Sequence, residues 1–221
     1  MKETDKPLTV LIVDDHTLLV DSLSTVLFMQ GVTAVRPDLS SAASVHDQAR
    51  ETSPDLVLLD LDLGGALGLG EDLIRPLADE GHRVLVVSGS RDAARLGACL
   101  LRGAHGVLPK SLPVAVLVGH VLTAARGEPV MVESQRLQLI AAHRAAESRD
   151  QDRKALFNLL SDREKMVLAA LAEGHSVGRI AATSFVSEAT VRTQVRSILA
   201  KLGVNSQLEA VAIAGRHGWF R

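Results

Sequence analysis

Five short apolar runs, each followed by a helix-like segment, fill residues 1–126 and leave little freedom in the choice of fold. The runs are Leu8–Val13, Val32–Val35, Leu56–Leu59, Val84–Val87 and Gly106–Leu108. They are rich in Val, Ile and Leu with almost no polar residue among them, the composition of strands covered on both faces. The helix-like segments are His16–Met29, Ala42–Thr52, Glu71–Glu80, Asp92–Arg102 and Pro113–Arg126, with apolar residues near helical spacing. Gly31, Gly81 and Gly103 stand where helices end, and Pro113 suits a first turn. Such alternation predicts a parallel sheet with right-handed crossovers and helices on both faces.

The pattern stops at Gly127-Glu128-Pro129. Ser134–Ala146 reads as a helix, and the polar run Glu147–Lys154 as a solvated linker. Beyond it there are only short helical patterns divided by Gly and Ser. The expected organisation is an α/β domain of five parallel strands over residues 7–126, a partly helical linker over 127–155, and an all-α domain of four helices over 156–221. A chain of 221 residues, 47% hydrophobic and 23% charged, can build two such cores without disulfides or metals as staples.

The one cysteine, Cys99, has no partner for an internal disulfide and reads as a small core residue, which points to a reducing cytoplasm. No apolar run reaches membrane-spanning length and the start MKETDKPLTV lacks an apolar signal core, so no membrane partner is expected. Residues 1–126 carry 11 Lys+Arg against 16 Asp+Glu, whereas residues 127–221 carry 13 against 10. An acidic half joined to a basic half hints that the second meets a polyanion. The eight histidines are scattered without metal-ligand spacing and read as ordinary residues.

The chemistry lies at the ends of the runs. Asp14 and Asp15 follow the first, Asp60 ends the third in LVLLD, Ser88 ends the fourth in VLVVS, and Lys110 follows the fifth in GVLPK. In an open parallel sheet these C-terminal ends share one edge, where ligands bind. Singly, each residue has a bland explanation: an Asp after a strand caps the next helix, a Ser in Ser-Gly-Ser makes a turn, a Lys is solvated. Together they converge. Clustered carboxylates favour a hard cation with oxygen ligands, most simply Mg²⁺. With that charge shielded, Asp60 can act as nucleophile toward a phosphoryl donor, with Lys110 and Ser88 on the phosphoryl oxygens.

The set Asp14, Asp15, Asp60, Ser88 and Lys110 resembles the receiver domain of two-component response regulators over about residues 7–126. The resemblance implies a flavodoxin-like fold, phosphorylation of Asp60 by a partner histidine kinase, and Mg²⁺ held by Asp14, Asp15, Asp60 and the backbone carbonyl of Asp62. It also implies that Ser88 moves toward the phosphate and repacks the neighbouring face. Three positions depart from the family. Val107 stands where an aromatic residue is usual, Pro109 precedes Lys110 instead of following it, and the loop DLDLGGALGLGED is rich in glycine. The glycines predict a mobile loop. Haloacid-dehalogenase-type phosphatases share an Asp-x-Asp, a later Ser and a later Lys, but need a further acidic pair after the Lys; here the next Asp is Asp150. That order favours a receiver, not an enzyme.

In the second half, Ser161 and Glu164 make a capping box that starts a helix to about Glu173, and Ser176, Ser187 and Ser206 cap three more. Two short consecutive helices joined by a tight turn form a helix-turn-helix. On the third helix, Val191, Val195, Ile198 and Leu202 form a core stripe, while Thr190, Arg192, Thr193, Gln194 and Arg196 supply donors that suit bases and phosphates. An isolated helix with these residues would read as a solvated face; the ordered set of four helices reverses that preference.

The segment 157–218 resembles the LuxR-type helix-turn-helix of the NarL/FixJ response regulators at Leu160, Arg163-Glu164, Val167-Leu168, Glu173-Gly174, Ile180-Ala181, Thr190-Val191, Val195 and Lys201-Leu202-Gly203-Val204. The resemblance implies that Arg192, Thr193 and Arg196 meet base edges or groove phosphates, that Thr190 and Lys201 touch the DNA backbone, and that the last helix pairs two copies on a palindromic promoter site. RNA polymerase is a further candidate partner. The expectation is therefore a transcription regulator switched by phosphorylation of Asp60. The rival is a constitutive DNA binder whose first domain only dimerises or senses a ligand.

Overall fold

The computed structural model describes residues 7–64, 67–216 and 219. The chain divides into two compact units, Met1–Arg144 and Ala145–Arg221. In the first, five parallel strands run in the order β2-β1-β3-β4-β5: β1 Thr9–Val13, β2 Thr33–Val35, β3 Leu56–Asp60, β4 Val84–Ser88 and β5 Gly106–Pro109. Helices α1 Thr17–Met29, α2 Ala42–Thr52, α3 Glu71–Asp79, α4 Ala93–Leu101 and α5 Val114–Ala125 follow them in turn.

Strand residues alternate between the two faces, and the two cores follow that alternation. Val10, Ile12, Leu56, Leu58, Leu85 and Val87 pack with Leu23 and Leu27 of α1 and Leu117 and Val121 of α5. Leu11, Val13, Val57, Leu59, Val84 and Val86 pack with Val45 of α2, Leu73, Ile74 and Leu77 of α3, and Cys99 and Leu100 of α4. Each such buried side chain is worth roughly 1.5–3 kcal/mol relative to exposure. The chain steps one way from β1 to β2 and the other way from β1 to β3, so the order reverses there, and the crevice that binds ligands opens beside the ends of β1 and β3.

The polar run expected to be a solvated linker is helical instead. Glu147–Lys154 lies inside α6, Glu133–Asn158, none of whose residues is buried. Arg, Glu, Gln, Lys and Ala have high helix propensity, and Lys154 pairs with Asp150 one turn away at 2.8 Å, so the run is helical and solvated at once. The early part of α6 belongs to the first unit, where Leu139 and Ile140 pack against its core.

In the second unit, α7 Asp162–Ala172, α8 Val177–Thr183, α9 Glu188–Leu202 and α10 Gln207–Arg216 enclose one core. Ser161 and Glu164 form the full capping box of α7, and the Ser176 and Ser187 side chains accept from the backbone N–H groups of Arg179 and Thr190. The expected stripe Val191, Val195, Ile198 and Leu202 is buried. Phe157 and Trp219 stack with ring centroids 4.1 Å apart. No described helix is long and apolar enough to cross a membrane.

Candidate functional site

Asp60 ends β3 at only 2% exposure, with its neighbour across the sheet, Val87, one residue before Ser88. Its Oδ2 accepts a hydrogen bond from the Lys110 ammonium at 2.6 Å, and its Oδ1, though buried, has no hydrogen-bond partner among the described residues. Lys110 also lies 2.8 Å from Asp14 Oδ2. Burial would lower the Lys110 pKa, but its hydrogen bonds to Asp14 and Asp60 outweigh that and raise it, so the lysine stays charged. Asp15 accepts from the Gly64 N–H at 3.0 Å. That bond holds its carboxyl below the usual range against a weaker opposing effect of desolvation.

One ligand atom each from Asp14, Asp15, Asp60 and His16 lies within 4.8 Å of all the others. The first two are not used as helix caps: His16 is the N-cap of α1, and no side-chain cap bond is present. Three carboxylates against one lysine leave the pocket strongly anionic, and a buried carboxylate oxygen without a donor among the described residues suits a cation. The donor set is therefore fit for a hard divalent cation. His16 was not singled out in the sequence. Its Nδ1 is 3.0 Å from Asp14 Oδ1 and 2.9 Å from Asp15 Oδ1, and 3.2 Å from the Lys110 ammonium. The only signal in the chain is its place directly after the acidic pair.

Ser88 is 1% exposed, and its Oγ accepts from the Ser90 N–H at 3.1 Å. The Ser-Gly-Ser segment thus makes a turn as well as delivering a hydroxyl to the sheet edge. Val107 is buried among the α2–α4 side of the core. The glycine-rich loop was expected to be loose, yet its described ends are pinned. Gly64 donates to Asp15, and Gly70 donates to the Leu61 carbonyl at 3.0 Å. A Cβ at Gly70 would overlap the backbone carbonyl of Asp60 itself, so glycine lets α3 begin directly against the end of β3. Beyond Asp60, the Asp62 carboxylate pairs with Arg95 at 2.8 Å.

On α9, Thr190, Arg192, Thr193 and Arg196 are exposed and Gln194 is half-buried. Arg192 pairs with Glu188 at 3.0 Å, an exposed, solvent-screened contact. Lys201, expected at the DNA backbone, also has a partner within its own unit. Its ammonium lies 2.6 Å from Oε2 of buried Glu164, which also accepts from Ser197 Oγ at 2.7 Å and from the Ser161 N–H at 2.6 Å. Burial would raise the Glu164 pKa; the Lys201, Ser197 and Ser161 hydrogen bonds override it and bring it to about 2. Lys201 is thus paired with Glu164 while its side chain stays partly exposed.

Two family models match the chain: the response regulator receiver domain over residues 10–122, and the bacterial regulatory proteins of the luxR family over residues 158–214. The protein is a two-component response regulator, a receiver joined to a LuxR-type DNA-binding domain. The nitrate/nitrite response regulator protein NarP of Escherichia coli is 31% identical over 209 residues, covering 94% of each chain. The homologous nitrate/nitrite regulator of Haemophilus influenzae is 32% identical over 208 residues, 93% of this chain and 95% of its own. The chain belongs to the NarL/FixJ subfamily. RcsB of Salmonella typhimurium shares its fold at a TM-score of 0.51 and 22% identity, over 95% of this chain and 98% of that one. From the family models and the nitrate/nitrite regulators, the chain is a transcriptional response regulator, as those relatives are, and the constitutive-binder alternative is not favoured.

Proposed function

We propose that Asp60 is the phosphoryl acceptor and that phosphorylation switches DNA binding by α9. The observation that carries this is the buried Asp60 carboxylate, one oxygen held by Lys110 and the other without a partner among the described residues. A carboxylate oxygen attacks phosphorus of a phosphohistidine on the sensor kinase; the new O–P bond forms as the P–N bond breaks, and the electron pair leaves with the imidazole. Lys110 passes to a phosphoryl oxygen, and the Ser88 hydroxyl donates to another. Asp14, Asp15, Asp60 and the Asp62 carbonyl are the residues that would hold Mg²⁺, which when bound shields the carboxylates and stabilises the transferring group.

Arg192, Thr193, Gln194 and Arg196 read the groove, with Thr190 at the phosphate backbone. The site is palindromic promoter DNA bound by two copies paired through α10, whose Leu208 is 80% exposed, within reach of RNA polymerase. A solved complex of RcsB with DNA supports this assignment for the domain type. A cytoplasmic location accords with these partners.

Incubation with Mg²⁺ and acetyl phosphate, followed by intact mass, tests the acceptor. Wild type gains one phosphoryl adduct and Asp60→Asn gains none; an adduct that survives the substitution rejects Asp60.

A further inference from the structure

With valine at 107, no aromatic ring is available to rotate when the acceptor changes state. Helix α4 offers another path. Asp92 caps it, accepting from the N–H groups of Ala94 and Arg95, which fixes the direction in which Arg95 leaves the first turn. The Arg95 guanidinium then reaches back over the loop that follows Asp60. Nη1 lies 2.8 Å from the Asp62 carboxylate, Nη2 is 3.4 Å from the Leu61 carbonyl, and Nε donates to Glu71 at the start of α3. Glu71 is 6% exposed and its other oxygen, Oε2, has no hydrogen-bond partner among the described residues, so this buried carboxylate depends on Arg95. One fork thus grips both ends of the acceptor loop.

Two residues further on, the same helix holds the linker. Gly97 is in the middle of α4, where glycine costs roughly 1 kcal/mol relative to alanine. A Cβ there would overlap the Leu139 carbonyl of α6 and come within 3.0 Å of His143 Cβ. The α6 backbone therefore lies directly on α4. The contact is extended by Arg136, which donates to the His105 carbonyl at 3.1 Å, and by Val130, which occupies the space a side chain at Gly106 would need. These residues all belong to the first unit.

We propose that Arg95 is the positioning residue that couples the state of Asp60 to the linker helix, through its grip on Asp62 and Glu71 and the Gly97 seam with α6. This rests on Asp60 being the phosphoryl acceptor. Phosphorylation adds close to two negative charges at the end of β3, and the guanidinium that holds the next two residues, Leu61 and Asp62, is already shared between two carboxylates. The new charge competes for the fork, and a fork that exchanges acceptors shifts the first turn of α4. Packed backbones at Gly97 have no slack to absorb such a shift, so α6 moves with α4.

The test uses the full chain with Mg²⁺ and acetyl phosphate, reading intact mass and amide hydrogen exchange over residues 133–144. Arg95→Met keeps the apolar stem; Arg95→Lys keeps the charge as well and is the milder change. Wild type is expected to take the adduct and alter exchange in this segment at least threefold. Both variants are expected to take the adduct to the same extent with the exchange response lost. A wild-type response in either variant overturns the proposal, as does an adducted wild type whose exchange is unchanged. Variants that fail to take the adduct place Arg95 in the transfer step and also overturn it. No adduct on wild type rejects the acceptor assignment, and the coupling falls with it.

Discussion

Replacing Glu164 by glutamine removes a charge from the second unit while preserving the shape of the side chain and an acceptor oxygen. In the folded protein the carboxyl is held at about 2 against a usual 4.5, mainly against the opposing cost of burial, by Lys201, Ser197 and Ser161. That depression corresponds to roughly 3 kcal/mol at neutral pH, and solvent around the partly exposed Lys201 reduces it to about 2–3 kcal/mol. Because the folded value is the lower one, the stabilisation is complete above 4.5 and is lost as pH falls toward about 2. Trp219 is the sole tryptophan and stacks on Phe157, so its fluorescence reports this unit alone. Urea unfolding followed by Trp219 should show Glu164→Gln less stable by about 2–3 kcal/mol at pH 7, with the gap mostly closed near pH 2–3. A gap that is the same at both pH values, or below about 0.5 kcal/mol at pH 7, refutes the reasoning.

Two of the three cationic positions of α9, Arg196 and Lys201, should separate cleanly. Arg196→Ala should lower the slope of log affinity against log salt by about 1 with stability unchanged, whereas Lys201→Ala should destabilise the second unit and leave that slope alone. Binding titrations at several salt concentrations, with unfolding curves, distinguish them. Gly70→Ala places a methyl against the Asp60 carbonyl and should cost at least about 2 kcal/mol in thermal unfolding of the first unit. Burial pushes the Cys99 thiol up to about 11, so alkylation by iodoacetamide at about pH 8 should be at least ~100-fold slower in the folded protein than in urea.

Period and composition made the five strands, their helices and the buried stripe of α9 legible, because each depends on neighbours close in the chain. Convergence at the sheet edge followed from topology alone, which brought Asp14, Asp15, Asp60, Ser88 and Lys110 to one place. What stayed hidden were partners chosen by tertiary packing. Glu71 looked like an ordinary acidic residue in a first helical turn, a position favoured by the helix dipole; its burial beneath Arg95 depends on where α4 crosses the loop. Lys201 matched a family position, and periodicity has no means of pairing it with Glu164 on another helix. The run Glu147–Lys154 was polar enough for a linker, and solvated helices carry the same composition. The glycines after Asp60 suggested looseness, while Gly70 is there because two backbones touch.

The two oxygens of Asp60 are equivalent in free aspartate and chemically distinct at the end of β3, one facing an ammonium and the other facing no donor among the described residues. Asparagine at this position would have to choose: its carbonyl suits Lys110, and its amino group then takes the empty side. Such a variant also withdraws one negative charge from a pocket of three carboxylates and one lysine, relieving their mutual repulsion. Asp60→Asn is therefore expected to be a clamped form of the receiver, more rigid at its acidic edge than the resting wild type, and a regulator carrying it would sit further from the phosphorylated state than the unphosphorylated protein does.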